Sequence, residues 1–192
     1  MDTMTTSPSA ARGRLLDTAA QIFYSEGIHG IGVDRILADA GVTRATMYRH
    51  FAGKEALVVA YLGLEDERIR GYFAAAAAQG DLSPDQLLAA VVHGIADDVQ
   101  SRHTRGCPFI NAAAEYPDPD SPVREVVASH RAWFRATLAE VVAAAGVSEP
   151  ERAAASLVLL RDAALVGGYL DGSERVREAF LHAASAVLGR DF

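Results

Sequence analysis

DRILADAGVTRATMYRHFAGK, residues 34–54, reads as two short helices joined by a turn. Val33, Ile36, Leu37 and Ala40 line one face of the first at helical spacing. Gly41 breaks it, and Thr43 is placed to cap a second helix that runs to about Phe51. Two helices in this arrangement form a helix-turn-helix, whose second helix enters the DNA major groove. The second helix carries the side chains such a role needs. Thr43 and the first backbone N–H groups can take a phosphate, helped by the helix dipole. Arg44 and Thr46 lie near enough to its start to reach base edges, the guanidinium favouring guanine and the threonine methyl favouring thymine. Tyr48, Arg49, His50 and Lys54 supply donors for the DNA backbone. Val33, Ile36, Ala40, Ala45, Met47 and Phe51 are expected to bury the motif against the helix before it. Spacing alone also fits a solvated helix corner with ordinary surface bases.

Working outward, helix signals continue in both directions. Leu15, Leu16, Ala19, Ile22 and Phe23 fall at i, i+1, i+4, i+7 and i+8, the apolar stripe of a helix that stops near Gly27. A long helix is expected from Lys54 to about Gln79. Ser83 with Pro84 starts the next, to about Ser101. RGCPFINAAAEYPDPDSP, residues 105–122, holds a short helix from Pro108 to about Tyr116 and then a proline-rich loop. Further helices are expected from Pro122 to Ala145, closed by Gly146, from Pro150 to about Leu170, and from Ser173 to about Leu188. The expected fold is therefore all-α, with about nine helices and short loops.

The chain of 192 residues is long enough to bury a core without a metal or disulfide. A single cysteine, Cys107, excludes a disulfide-stapled secreted domain. The N-terminal MDTMTTSPSA lacks the basic start and apolar core of a signal peptide, and uninterrupted apolar runs such as 163–170 fall short of a membrane span. A soluble cytoplasmic protein with no membrane partner is expected. The net charge of −7 is unevenly spread. Residues 1–60 hold six bases and six acids, whereas residues 61–192 hold twelve bases and nineteen acids. A locally basic motif on an acidic body suits phosphate binding while repelling non-specific contact.

Residues 15–57, centred on AAQIFYSEGIHGIGVDRILADAGVTRATMYRHFAGKEAL, resemble the DNA-binding domain of the TetR family of transcriptional regulators. The family pattern runs from an apolar-aromatic first helix through G-V-(S/T)-x-x-x-(L/M)-Y-x-(H/Y)-F to K-E-x-L. Here Phe23, Gly27, Val33, Ile36, Gly41, Val42, Thr43, Met47, Tyr48, His50, Phe51, Lys54, Glu55 and Leu57 match it. The resemblance implies a homodimer that binds double-stranded operator DNA and a small-molecule effector, most such proteins being repressors released by ligand. It implies a flexible N-terminus (1–9), a three-helix DNA-binding domain (10–57) and a helical ligand-binding and dimerisation domain (58–192). The family's DNA contacts carry over to Thr43, Arg44, Thr46, Tyr48, Arg49, His50 and Lys54. Two departures stand out. Ile31-Gly32 replaces a pair that is commonly Thr/Ser, so a capping hydroxyl is missing at Gly32, and Leu37 replaces a usual alanine.

Candidates for an effector pocket in the body are Tyr61, His93, Cys107, Phe109, Asn111, Glu115, Trp133 and Tyr169, since such pockets are apolar with a few polar groups. Each also fits a core or capping role: Asn111 and Glu115, at i and i+4, are equally able to cap neighbouring backbone. Cys107, just before the short helix at Pro108, fits either a small buried side chain or a redox or electrophile-sensing thiol. The histidines lack metal-ligand spacing, and no cofactor is implied. No nucleophile elbow, P-loop, HExxH or dinucleotide fingerprint occurs, which argues against an enzyme. An all-α small-molecule-binding protein on the same scaffold is the alternative. Leu157, Val158, Leu160, Leu165, Tyr169, Phe180, Leu181 and Val187, with the Gly167-Gly168 pair, are expected to build a dimer interface from the last two helices.

Overall fold

The computed structural model describes residues 8–78 and 82–192. Among them the chain forms nine helices and no strand: α1 (Pro8–Glu26), α2 (Val33–Ala40), α3 (Arg44–His50), α4 (Lys54–Ala77), α5 (Pro84–Ser101), α6 (Pro108–Glu115), α7 (Pro122–Ala144), α8 (Pro150–Asp171) and α9 (Ser173–Leu188). Of the N-terminal stretch expected to be flexible, residues 1–7 lie outside the described residues, while residues 8 and 9 already belong to α1. The expected end of α4 at Gln79 also lies outside them.

The chain divides into two compact units. The first comprises the residues up to Glu65 together with Asn111–Val127; the second comprises Asp66–Ile110 and Ala128–Phe192. Helices α4, α6 and α7 therefore each contribute to both.

In the first unit the apolar stripe of α1, with Leu15, Ala19, Ile22 and Phe23, meets Ile36, Leu37 and Ala40 of α2 and Met47 of α3, all buried. The chain leaves α2 through Gly41, whose φ of 61° is the left-handed conformation that glycine adopts without strain. The N–H groups of Gly41 and Val42 return to the carbonyls of Ala38 and Leu37 and close the helix end. Thr43 then caps α3 by accepting the Thr46 N–H. Gly32 caps α2 without a side-chain bond, as its missing hydroxyl dictates. Ala45 departs from expectation. It stays exposed, on the outer face of α3 with Arg44, Tyr48 and Arg49.

In the second unit α8 and α9 pack on each other and on α5. Helix α5 opens with a reciprocal cap, in which Ser83 Oγ accepts the Gln86 N–H and Gln86 Oε1 accepts the Ser83 N–H. Its buried face of Leu88, Val92, Ala96 and Val99 meets Leu157, Val158 and Leu165 of α8 and Phe180, Ala184 and Leu188 of α9 in one core. The Gly167-Gly168 pair serves this intrachain packing. A Cβ on Gly168 would stand 2.6 Å from Val99 Cγ1, and one on Gly167 would stand 3.5 Å from Val176 Cγ2.

Helix α8 is long and apolar enough to cross a membrane, with a mean hydropathy of 1.4 over its most apolar window. Arg161 and Asp162 interrupt the stretch, so no uninterrupted apolar run reaches that length. Its composition has a local cause: one face is core, Arg161 is buried within it, and Leu159, Val166, Tyr169 and Leu170 remain exposed. Leu159, Val166 and Leu170, at i, i+7 and i+11, form one uncovered stripe.

Candidate functional site

The outer face of α3 carries a wired set of polar side chains. Thr43 Oγ1 accepts the Thr46 N–H at 3.2 Å and lies 2.9 Å from Thr46 Oγ1. Arg49 Nη2 donates to that same Thr46 hydroxyl at 3.0 Å. Arg44 pairs with Asp34 of α2, which keeps its guanidinium firmly charged. Both members of the Arg44–Asp34 pair are more than half exposed, so the pair is weak and yields readily to a phosphate. Tyr48 is half exposed. His50 is turned inward: its Nε2 is buried and has no hydrogen-bond partner among the described residues.

Lys54 and Glu115, expected on DNA phosphate and in an effector pocket respectively, hold the turn between α1 and α2 from two sides. Lys54 Nζ donates to the carbonyls of Ile31 at 2.5 Å and His29 at 3.4 Å. Burial lowers its pKa, with Glu115 acting in the opposite sense. The Glu115 carboxylate accepts the Ile28 N–H at 2.8 and 3.0 Å and the His29 N–H at 2.5 Å, and lies 3.2 Å from His29 Nδ1. Burial would raise the Glu115 pKa, but the amides of His29 and Ile28 outweigh it and hold the carboxyl below its ordinary range. Gly27, at a φ of 91°, starts this turn, which leaves two amide donors that no helix satisfies. This is the capping role for Glu115, and it excludes the carboxylate from a ligand pocket. Glu115→Gln is expected to lower stability by about 1–2 kcal/mol at pH 7. Because the folded-state pKa is depressed, the stabilisation is present above the ordinary carboxylate pKa and is lost as pH falls through the folded value. Thermal melts should therefore show the variant and the natural protein converging at acid pH.

The second unit contains a cleft of about 90 Å³. Ile69, Tyr72, Phe73 and Ala76 of α4 form one wall, and Val91, Gly94, Ile95 and Asp98 of α5 another, with Ala90 beside them. Arg102, Phe134 of α7 and Arg161 of α8 complete it. Arg161 is only 5% exposed. Its guanidinium lies 5.2 Å from the Phe134 ring centre, and Nη1 donates to Cys107 Sγ and Asp162 Oδ1, each at 3.3 Å. Asp98 accepts from His103 Nδ1 at 2.7 Å and Arg102 Nε at 3.3 Å. Burial pushes the Asp98 pKa up, but these partners prevail and keep it ionised. Arg102 in turn lies 4.0 Å from the centre of the Tyr72 ring.

None of the eight side chains expected in a pocket lines this cleft. Tyr61 is buried in the first unit, 6.0 Å from the Phe23 ring. Asn111 is half-buried in that unit and Glu115 is bound to the turn. His93 is half-buried on α5, its ring 6.4 Å from that of Phe192. Cys107 is fully buried behind Arg161. Trp133 packs edge-on to Phe73 at 5.5 Å and beneath Arg70 at 4.2 Å, one layer behind the wall. Tyr169 is exposed on α8. Phe109 lies flat on His130, with ring centres 3.7 Å apart. His130 Nδ1 is 2.7 Å from Asp66 Oδ1, while its Nε2 is buried without a hydrogen-bond partner among the described residues. Both cleft walls did have a readable signal: residues 69, 72, 73, 76 and 91, 94, 95, 98 each repeat at i, i+3, i+4, i+7.

The chain matches two family models: bacterial regulatory proteins of the tetR family over residues 15–61, and the tetracyclin repressor-like C-terminal domain over residues 85–184. A TetR-family transcriptional regulator of known structure from Streptomyces coelicolor is 48% identical, with 94% of this chain and 95% of that one covered and a TM-score of 0.89. The HTH-type transcriptional regulator UidR of Escherichia coli is 34% identical over 73 residues, 38% of this chain and 37% of its own length. The HTH-type transcriptional activator FasR of Mycolicibacterium smegmatis is 41% identical over 51 residues, 27% of this chain and 23% of its own. The chain thus spans well under half the length of these curated relatives. With a three-helix unit bearing Arg44, Tyr48 and Arg49 on its outer helix, a helical body around a cleft, and both family models matched in order, the chain belongs to the TetR family of transcriptional regulators.

Proposed function

We propose that the protein is a cytoplasmic repressor that binds a palindromic operator as a homodimer and is released by a small molecule entering the cleft. In this reading residues 10–57 bind DNA, and residues 58–192 bind the effector and dimerise. The observation that carries it is the outer face of α3, where Arg44, Ala45, Tyr48 and Arg49 stand exposed on a helix whose opposite side is locked by Met47. Thr43, Thr46 and Lys54 add donors, with Lys54 the weakest because it already serves the turn. His50 contributes by packing. The uncovered stripe of Leu159, Val166 and Leu170 supports dimerisation through α8, with α9 beside it. A two-fold dimer of this kind places recognition helices about 34–36 Å apart.

Helix α4 carries Lys54 in its first turn and cleft residues 69–76 toward its end. A ligand that fits the cleft better in one setting of α4 shifts the protein by its differential affinity and no more. Operator DNA must then weaken ligand binding by the same factor.

Selection of bound DNA from a random library tests the reading. A palindrome with half-sites about one helical turn apart is expected, and recovery of unrelated sequences would defeat it. Arg49→Ala is expected to weaken binding to the selected site and to random DNA alike and to reduce the salt slope by about one per subunit. Transcription in vitro from a promoter carrying the site decides between repression and activation.

A further inference from the structure

Arg161 has capacity left over. The side chain is 5% exposed, yet both hydrogen bonds it makes among the described residues leave from Nη1, and Nε and Nη2 of the fork remain unengaged. One of its two acceptors, Cys107 Sγ, is weak. The carboxylates of Asp162 and Asp98 hold it charged despite its burial. Three guanidiniums (Arg102, Arg131 and Arg161) share two carboxylates (Asp98, bound by Arg102, and Asp162, bound by Arg131 and Arg161). The free edge of the Arg161 guanidinium thus lies at a cleft whose walls, Ile69, Phe73, Ile95 and Phe134, are apolar. A buried guanidinium with donors left over is best satisfied by a ligand that brings acceptor oxygens to them.

We propose that the effector is a small organic monoanion: a carboxylate that engages the free edge of the Arg161 fork, borne on a one-ring or short-chain apolar body held between Phe73 and Phe134. This names the ligand class for the cleft and rests on the ligand-responsive reading above. A guanidinium fork matches a carboxylate with two parallel hydrogen bonds, which the neutral and cationic counterparts of the same body do not accept. Size limits the body. A cavity of roughly 150 Å³ holds benzene, so a cleft of about 90 Å³ seats the carboxylate and part of a ring, the remainder lying toward half-exposed Tyr72. Polyanions and nucleotides exceed the volume.

Trp133, the only tryptophan, touches the wall residue Phe73 and reports on the cleft by fluorescence. The full-length protein is titrated with benzoate, hexanoate, benzyl alcohol and benzylamine. Benzoate and hexanoate are expected to change the emission and raise the melting temperature, with benzoate binding at least about tenfold more tightly than benzyl alcohol and benzylamine weakest. Arg161→Lys keeps the charge but loses the fork, and should erase most of that preference. If it does not fold, the four-compound comparison on the natural protein still decides. Equal or better binding of benzyl alcohol or benzylamine overturns the assignment, as does silence of both acids up to about 10 mM. The underlying reading is judged separately. If a neutral or cationic probe binds and releases the selected operator, ligand response stands while the anion assignment fails. If benzoate binds without releasing the operator, the cleft chemistry stands while the regulatory reading fails.

Discussion

Replacing Leu159 and Leu170 together by glutamate is expected to yield a folded monomer that binds the selected operator about 100-fold more weakly, or worse. Both side chains are more than two-thirds exposed on α8, so their replacement disturbs no intrachain core. In a two-fold interface each glutamate meets the same apolar patch on the other subunit, and the symmetry doubles every buried charge. Losing the dimer removes the second half-site contact, which enters as an effective concentration and is commonly worth a factor of 10²–10⁴. Sedimentation and circular dichroism measure assembly and folding independently. Retention of a dimer by the double variant would move the interface away from α8.

Acid should unfold the protein in a window set by His130. Burial drives its pKa down to about 4, with the hydrogen bond to Asp66 opposing this and the Arg161 charge adding to it. The unfolded chain returns the ring to a pKa of about 6.5. Between those values the unfolded state takes up a proton that the folded state refuses, so stability falls as pH drops from about 6.5 to about 4. The difference corresponds to about 3 kcal/mol, and above about pH 7 the group contributes no slope. His130→Phe keeps an aromatic ring against Phe109 and leaves Asp66 its bond from Arg70 Nε at 2.7 Å. Denaturant titrations from pH 7.5 to 4.5 should show the slope in the natural protein and a much flatter profile in the variant. Equal slopes would assign the acid sensitivity elsewhere. Asp66, Asp98 and Glu115, all with lowered pKa values, lose their stabilisation at still lower pH.

The helix-turn-helix was legible because its determinants are local. A left-handed glycine at 41, a capping threonine at 43 and an apolar period act within a few residues of where they are read. The cleft was misread for the opposite reason. Choosing residues by chemistry selected Phe109, Trp133 and Cys107, large or reactive groups that the core needs, whereas the walls are set by which face α4 and α5 turn toward each other. Glu115 shows the limit most plainly. Its partners, Ile28 and His29, lie 87 and 86 residues away, and an unsatisfied amide leaves no trace in the local sequence. Arg161 carries no sign of its place in the sequence, since an arginine inside an apolar helix reads as surface until its burial is known.

The course of the chain has a consequence for building hybrid regulators. The carboxylate that secures the α1–α2 turn lies at Glu115, far outside the segment that holds the recognition helix. A chimera spliced after residue 57 inherits α1 to α3 but takes its α6 from another protein, and with it whatever residue stands in the place of Glu115. Unless that residue is also an acceptor of matching reach, the transplanted reading head carries two bare amides and a loosened turn. Exchanging the sensor of this protein therefore requires two grafts, one in each of the two segments that make up the first unit.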